Sequence, residues 1–270
     1  MPLTCLRAPE PPDSPRRPAL VVGHPGHELR LFGWISEYRP RVYVLTDGSG
    51  RQGVSRLPAT ARLLAGLGAQ PGEIFGALSD AELYAAVLRQ DAALFLGLLD
   101  RLADSLSRHR IDLVAGDATE GYNPAHDLCR ALLDAAALMA QTASGPALPN
   151  YEVSLTEWKP GSQIVHDRRC WHFSLDDALL RRKLDAAEAY EEMKGEVRES
   201  LSRQGREYFR VECLRQAAPA CPHPGKPFYE TWGEQRVASG EYASVIRWKD
   251  HMLPLVDAIR QHAACVAHPS

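Results

Sequence analysis

Four short apolar runs, Ala19–Gly23, Val42–Thr46, Ile111–Ala115 and Tyr151–Leu155, are separated by stretches of helical periodicity. This alternation confines the chain to a layered α/β fold. Between the second and third runs, Leu83, Val87, Leu88, Asp91, Leu94, Phe95, Leu98, Leu99 and Leu102 keep a helical period. The segment Ser79-Asp80-Ala81-Glu82 opens that helix with a capping-box pattern. After the third run, Leu128, Leu132, Leu133, Ala136 and Met139 form a second apolar face, with Pro124 where a first helical turn tolerates it.

The pattern predicts right-handed crossovers and a doubly wound, mostly parallel, Rossmann-like sheet with helices on both faces. In such sheets ligands sit beyond the carboxyl ends of the strands, where the strand order reverses. The polar residues gather at those ends. His24 and His27 follow the first run, Asp47 the second, and Asp117 to His126 the third.

The C-terminal half is less regular. Ser174-Leu175-Asp176-Asp177 reads as a helix start, and Leu180, Leu184, Ala187, Tyr190, Met193, Val197 and Leu201 predict a stripe packed on the core. Residues 218–228 hold four prolines and read as a loop, and Pro254 opens a last helix through His262. The expected organisation is a flexible Pro-rich leader over residues 1–18 and one domain over 19–270.

With 270 residues, 45% of them hydrophobic, the chain can build a large core. A net charge of −3 offers no basic surplus for nucleic acid. No run approaches the roughly 20 apolar residues of a membrane span. Six cysteines without a C-x-x-C read as reduced thiols and place the protein in the cytoplasm. The expected partner is a small molecule, with assembly into a homo-oligomer left open.

His24 and His27 lie one turn apart and can chelate together, and His126 supplies a third ligand from another strand end. Here the chain resembles the PIG-L / LmbE-like family of zinc-dependent N-deacetylases. The family's His-Pro-Asp-Asp-Glu appears as His24-Pro25-Gly26-His27-Glu28, and its His-Pro-Asp-His as Asn123-Pro124-Ala125-His126. Val44-Leu45-Thr46-Asp47-Gly48-Ser49-Gly50 is similar to the family's second strand end, followed by Arg56. The resemblance implies a metal hydrolase that removes an acyl group from an amino sugar or related metabolite, with Zn²⁺ held by His24, His27 and His126. It also implies substrate contacts from Arg56 and Tyr122, and an oxyanion donor at Asn123.

The departures are chemical. Gly26 stands where the family has its general base, and His27 where it has a ligating carboxylate. Three imidazoles leave zinc more electrophilic, and such a site brings its water to a pKa of about 7 without a strong base nearby. Asp47, Asp117 or Glu120 are the candidates to replace the base. An ester or other acyl substrate, or a family member that binds without turnover, are the alternatives. Glu28 reads as structural.

Three further clusters have a plain reading beside a functional one. His166 and His172 flank Arg168, Arg169 and Trp171, which suits an anionic or sugar ligand but suits a solvated loop better. Cys221-Pro222-His223 reads as loop before metal site. Phe228-Tyr229-Glu230-Thr231-Trp232 offers faces for sugar stacking, although such aromatics more often pack a core.

Overall fold

The computed structural model describes residues 16–141, 147–155, 170–217 and 225–267. Most of the leader, together with His166, Arg168, Arg169, Cys221 and His223, lies outside the described residues. Seven strands among those described form one mixed sheet: β1 (Pro18–Val22), β2 (Arg41–Thr46), β3 (Gln70–Leu78), β4 (Leu113–Asp117), β5 (Asn150–Val153), β6 (Cys170–Ser174) and β7 (Val211–Gln216). Their order is β3-β2-β1-β4-β5-β7-β6. The first five strands pair in parallel, whereas β7 runs antiparallel to both β5 and β6. The fold is therefore α/β with a mostly parallel sheet.

The four expected strands are present within two residues of their predicted starts. β3 escapes the pattern because Pro71, Gly72 and Gly76 interrupt it. It survives as an edge strand, with register shifts against β2, where a missing N–H and a bulge are tolerated. The single helix expected from Leu83 to Leu102 is two, α3 (Asp80–Leu88) and α4 (Ala92–Arg108). Gln90 turns left-handed between them at φ 54°, and the Asp91 side chain caps the second by accepting from the Leu94 N–H. The Ser79 capping box forms as predicted.

One apolar core joins Ala19, Val21, Tyr43 and Val114 to α3, α4, α5 (Pro124–Ala140) and α9 (Leu253–Ala267). A second joins Leu20, Val22, Val42, Val44 and Ala115 to α1 (Phe32–Tyr38) and α2 (Leu57–Leu67). β1 alternates between these cores and is buried along its whole length. Each such aliphatic side chain contributes about 1.5–3 kcal/mol, so the end of β1 is held firmly.

The sheet grows from β1 to one side through β2 and β3, then resumes on the other side with β4. That reversal leaves a crevice beyond the carboxyl ends of β1 and β4.

The expected C-terminal stripe divides. α6 (Asp177–Glu188) buries Leu180, and Tyr190 is buried after it, but α7 (Lys194–Gln204) has no buried residue, so Val197 and Leu201 are not core. α8 spans Phe228–Ala238, and α9 begins at Leu253, with Pro254 in its first turn. No helix among the described residues is long and apolar enough to cross a membrane.

Candidate metal centre

The reversal point collects three histidines. His24 lies two residues past β1, and His27 opens a 3-10 turn (His27–Leu31). His126 sits in the first turn of α5, which Asn123 caps and Pro124 starts. Their ring centroids stand 5.3 Å (His24–His27), 5.1 Å (His24–His126) and 4.5 Å (His27–His126) apart, all edge to face. The structure thus brings together the three ligands expected from the sequence.

Buried carboxylates orient two of the rings. His24 Nδ1 lies 2.7 Å from Thr46 Oγ1 and 3.0 Å from Asp80 Oδ1. His27 Nδ1 lies 2.9 Å from Asp117 Oδ2, which also accepts the Gly23 N–H at 2.7 Å. A carboxylate facing Nδ1 places the proton there and leaves Nε2 with its lone pair, as at metal-bound histidines. Burial raises the Asp80 carboxyl, but hydrogen bonding and charge from His24 outweigh it and hold the group well below the usual carboxylate range. Asp80 is thus an anion.

Burial, then the neighbouring His27 and His24, push the His126 imidazole well below its ordinary value. It is neutral and suited to ligation. His24 Nε2, His126 Nδ1 and Asp117 Oδ1 are buried without a hydrogen-bond partner. Orphaned buried polar atoms carry a large desolvation penalty, and the two orphaned ring nitrogens fit a cation that would satisfy them. Imidazole nitrogen donors suit zinc and its first-row neighbours.

The other expected site residues separate by what they touch. Asp47 Oδ1 accepts the N–H groups of Ser49 and Asp80, which is the work of a turn residue. Glu120 accepts from Ser154 Oγ at 2.5 Å and the Leu155 N–H at 3.0 Å, so it ties the end of β5. Asn123 Oδ1 accepts from the Ala125 N–H and from Tyr84, which leaves its amide N–H₂ as the donor end. Arg56 caps the N-terminus of α2 through its backbone and runs beside Gly48. Tyr122 is 51% exposed, its ring 6.4 Å from that of His126.

Gly26 has φ 104°, and a Cβ placed on it would lie 2.5 Å from Met193 Sδ. A side chain at this position would therefore have to adopt a positive φ and displace the end of Met193. Glu28 is fully buried and accepts from the Gly26 N–H at 2.7 Å and from the Tyr190 hydroxyl. It holds the turn that presents His27.

Two features escape the sequence. Asp80 reads there only as part of a capping box, because β3, whose end it follows, carries no recognisable periodicity. The second is a set of side chains on β6 and β7. Among the described residues, Cys170, His172 and Cys213 form the one group whose donor atoms all lie within 4.8 Å of one another, and it could hold a metal ion. By that measure the three imidazoles are a looser set.

No family model matches the chain, and no curated protein matches it. Among solved structures it is similar to the conserved protein TT1542 from Thermus thermophilus. The identity is 18% and the TM-score 0.50, over 77% of this chain and 98% of that one. The likeness is one of fold.

Proposed function

We propose that this protein is a metal-dependent hydrolase of the deacetylase type, with zinc as its ion, cleaving an N-acyl group from an amino sugar or similar metabolite. One observation carries the reading. His24, His27 and His126 converge at the strand-order reversal, two of them backed by buried aspartates and two with orphaned ring nitrogens. The same placement supports a doubly wound, Rossmann-like description of the sheet.

Zinc, when bound, polarises an acyl carbonyl and supplies a hydrolytic water at neutral pH. His24, His27 and His126 would hold it. Asp80 and Asp117 fix the tautomers of the first two. Of the three candidate bases, Asp117 is joined to the cluster, and its Oδ1 is the acceptor left to take a proton. Asn123 caps the helix that carries His126 through its Oδ1, and its amide N–H₂ would donate to a developing oxyanion.

An exposed aromatic row leading away from His126 supports the reading of the substrate class. Tyr122 stacks on Phe228 at 5.2 Å and 3°, and Phe228 on Trp232 at 6.1 Å and 23°. These rings are 40–51% exposed. Contrary to the expected core packing of that segment, Tyr229 is the one of its three aromatics that is buried. Flat exposed rings beside a polar cluster suit the apolar face of a sugar.

Met193, filling the space beside Gly26, favours a second reading: a member of such a family that binds metal and ligand without turnover. Elemental analysis of wild type and His27→Ala, followed by a screen of N-acetylated amino sugars, tests both. Metal that depends on His27 together with amine release supports hydrolysis. His27-dependent metal without turnover on any acylated amine supports the second reading, and wild type with no metal lost in His27→Ala overturns both.

A further inference from the structure

Strand geometry places Cys170, His172 and Cys213 on one face. Trp171, Phe173 and Leu214 belong to the second core, where Trp171 stacks on Tyr38 and Tyr151, so their alternating neighbours point to the opposite side of the sheet. In register, His172 lies directly opposite Cys213, and Cys170 is two residues along on the same face. Their donor atoms, one imidazole nitrogen and two sulfurs, all fall within 4.8 Å of one another. Cys170 is only 2% exposed.

We propose that this triad is a second metal site, taking a borderline-soft divalent ion of the zinc class in a structural role. The donor set selects the ion, because thiolate and imidazole together suit zinc and not calcium or magnesium. Charge balance agrees. Binding expels two thiol protons to solvent, and the two thiolates then neutralise the dication, so no net charge is left in the sheet face. Three protein donors leave one coordination position for water.

A disulfide is the competing outcome, since both residues are thiols. Cys170 lies opposite Arg215, not opposite Cys213. Diagonal partners on antiparallel strands stand about 7–8 Å apart, beyond the roughly 4.4–6.8 Å span of most disulfides. A metal with longer bonds bridges that gap without moving the strands.

The clip has a clear mechanical use. β6 is the sheet's edge strand and is held by β7. The β7 residue Glu212 accepts the N–H groups of Gly33 and Trp34 at 3.0–3.1 Å and pairs with Lys183 Nζ at 2.9 Å. Securing β6 to β7 therefore steadies the start of α1, just after the turn that carries His27. The inference does not depend on the hydrolase reading.

Cobalt(II) separates the two centres, because only a thiolate site gives a sulfur-to-cobalt charge-transfer band. The full chain should show that band, keep it in His27→Ala, and lose it in Cys170→Ser/Cys213→Ser, with far-UV circular dichroism reporting folding. If the double variant fails to fold, His172→Ala, which removes no sulfur, should shift the band and weaken cobalt affinity. No band in folded wild type overturns the proposal, as does a band unchanged in either variant. So does a count of reactive thiols, in denatured and unreduced protein, two short of the chain's six cysteines.

Discussion

The parallel and antiparallel parts of the sheet gather their candidate metal ligands in opposite ways. At the parallel end, His24, His27 and His126 come from loops and a helix start beyond the strands, and their set is loose. Carboxylates behind them, not the sheet register, orient two of the rings. At the antiparallel end, Cys170, His172 and Cys213 sit within paired strands, and backbone register alone brings them close. Ligands on strand ends open toward a crevice and can exchange substrate. Ligands on a strand face are locked by the ladder and suit a permanent ion. On the two proposals made above, metal-ligating side chains would serve chemistry or structure according to where the strand stops.

The largest expected effect tests whether the parallel end is the reactive one. His24→Ala/His126→Ala should lose about one metal equivalent and all turnover, leaving the cysteine-bound equivalent in place. Elemental analysis with an amine-release assay reads both, and equal metal loss from both sites would erase the distinction. Next, Asp117→Asn should weaken metal binding at the histidines about 10–100-fold, because the backing carboxylate sets the His27 tautomer. Competition with a chelator measures this, and an unchanged affinity would remove the carboxylates from the account.

Restoring a carboxylate with Gly26→Asp should destabilise the fold by about 1–3 kcal/mol, since φ is positive there and the space is taken. Denaturant unfolding checks it, and Met193→Ala in the same chain should recover the steric part. A smaller effect belongs to the aromatic row. Tyr122→Ala should raise KM about 2–10-fold with little change in kcat, the size expected for one ring contact. A fall in kcat instead would move Tyr122 from substrate positioning to chemistry.

The smallest effect concerns acid sensitivity of the parallel end. Burial raises the Glu73 carboxyl of β3, but hydrogen bonds from Ser105 and His109 outweigh it and hold it at about 2, against 4.5 ordinarily. A lowered folded-state value gives stability that is complete above the ordinary value and lost as pH falls toward 2. Melting temperatures of Glu73→Gln should therefore fall less steeply than wild type across that window. Parallel curves would show that β3 is held to α4 by other contacts.

The three clustered histidines were legible because each follows a strong local signal: a buried strand ending at Val22, or a Pro-started helix after Asn123. Their support was not. Asp80 meets His24 only because β3 lies beside β2, and a strand broken by Pro71, Gly72 and Gly76 carries no periodicity to announce it. Glu120 and Asp47 read as site residues, yet backbone N–H groups occupy their carboxylates. The stripe from Leu180 to Leu201 failed as core past Met193 because helical period records a face but not whether anything packs on it.

By itself the sequence determined the alternation of strands and helices, the strand ends bearing histidines, and the missing side chain at position 26. These are local matters of periodicity, capping and residue chemistry. Tertiary structure alone decided which carboxylate backs which imidazole, that Met193 fills the space beside Gly26, and that Cys170, His172 and Cys213 meet. The reason is sequence separation: those partners lie tens of residues apart or more, and only strand order and register, fixed by packing of the whole sheet, bring them within bonding distance.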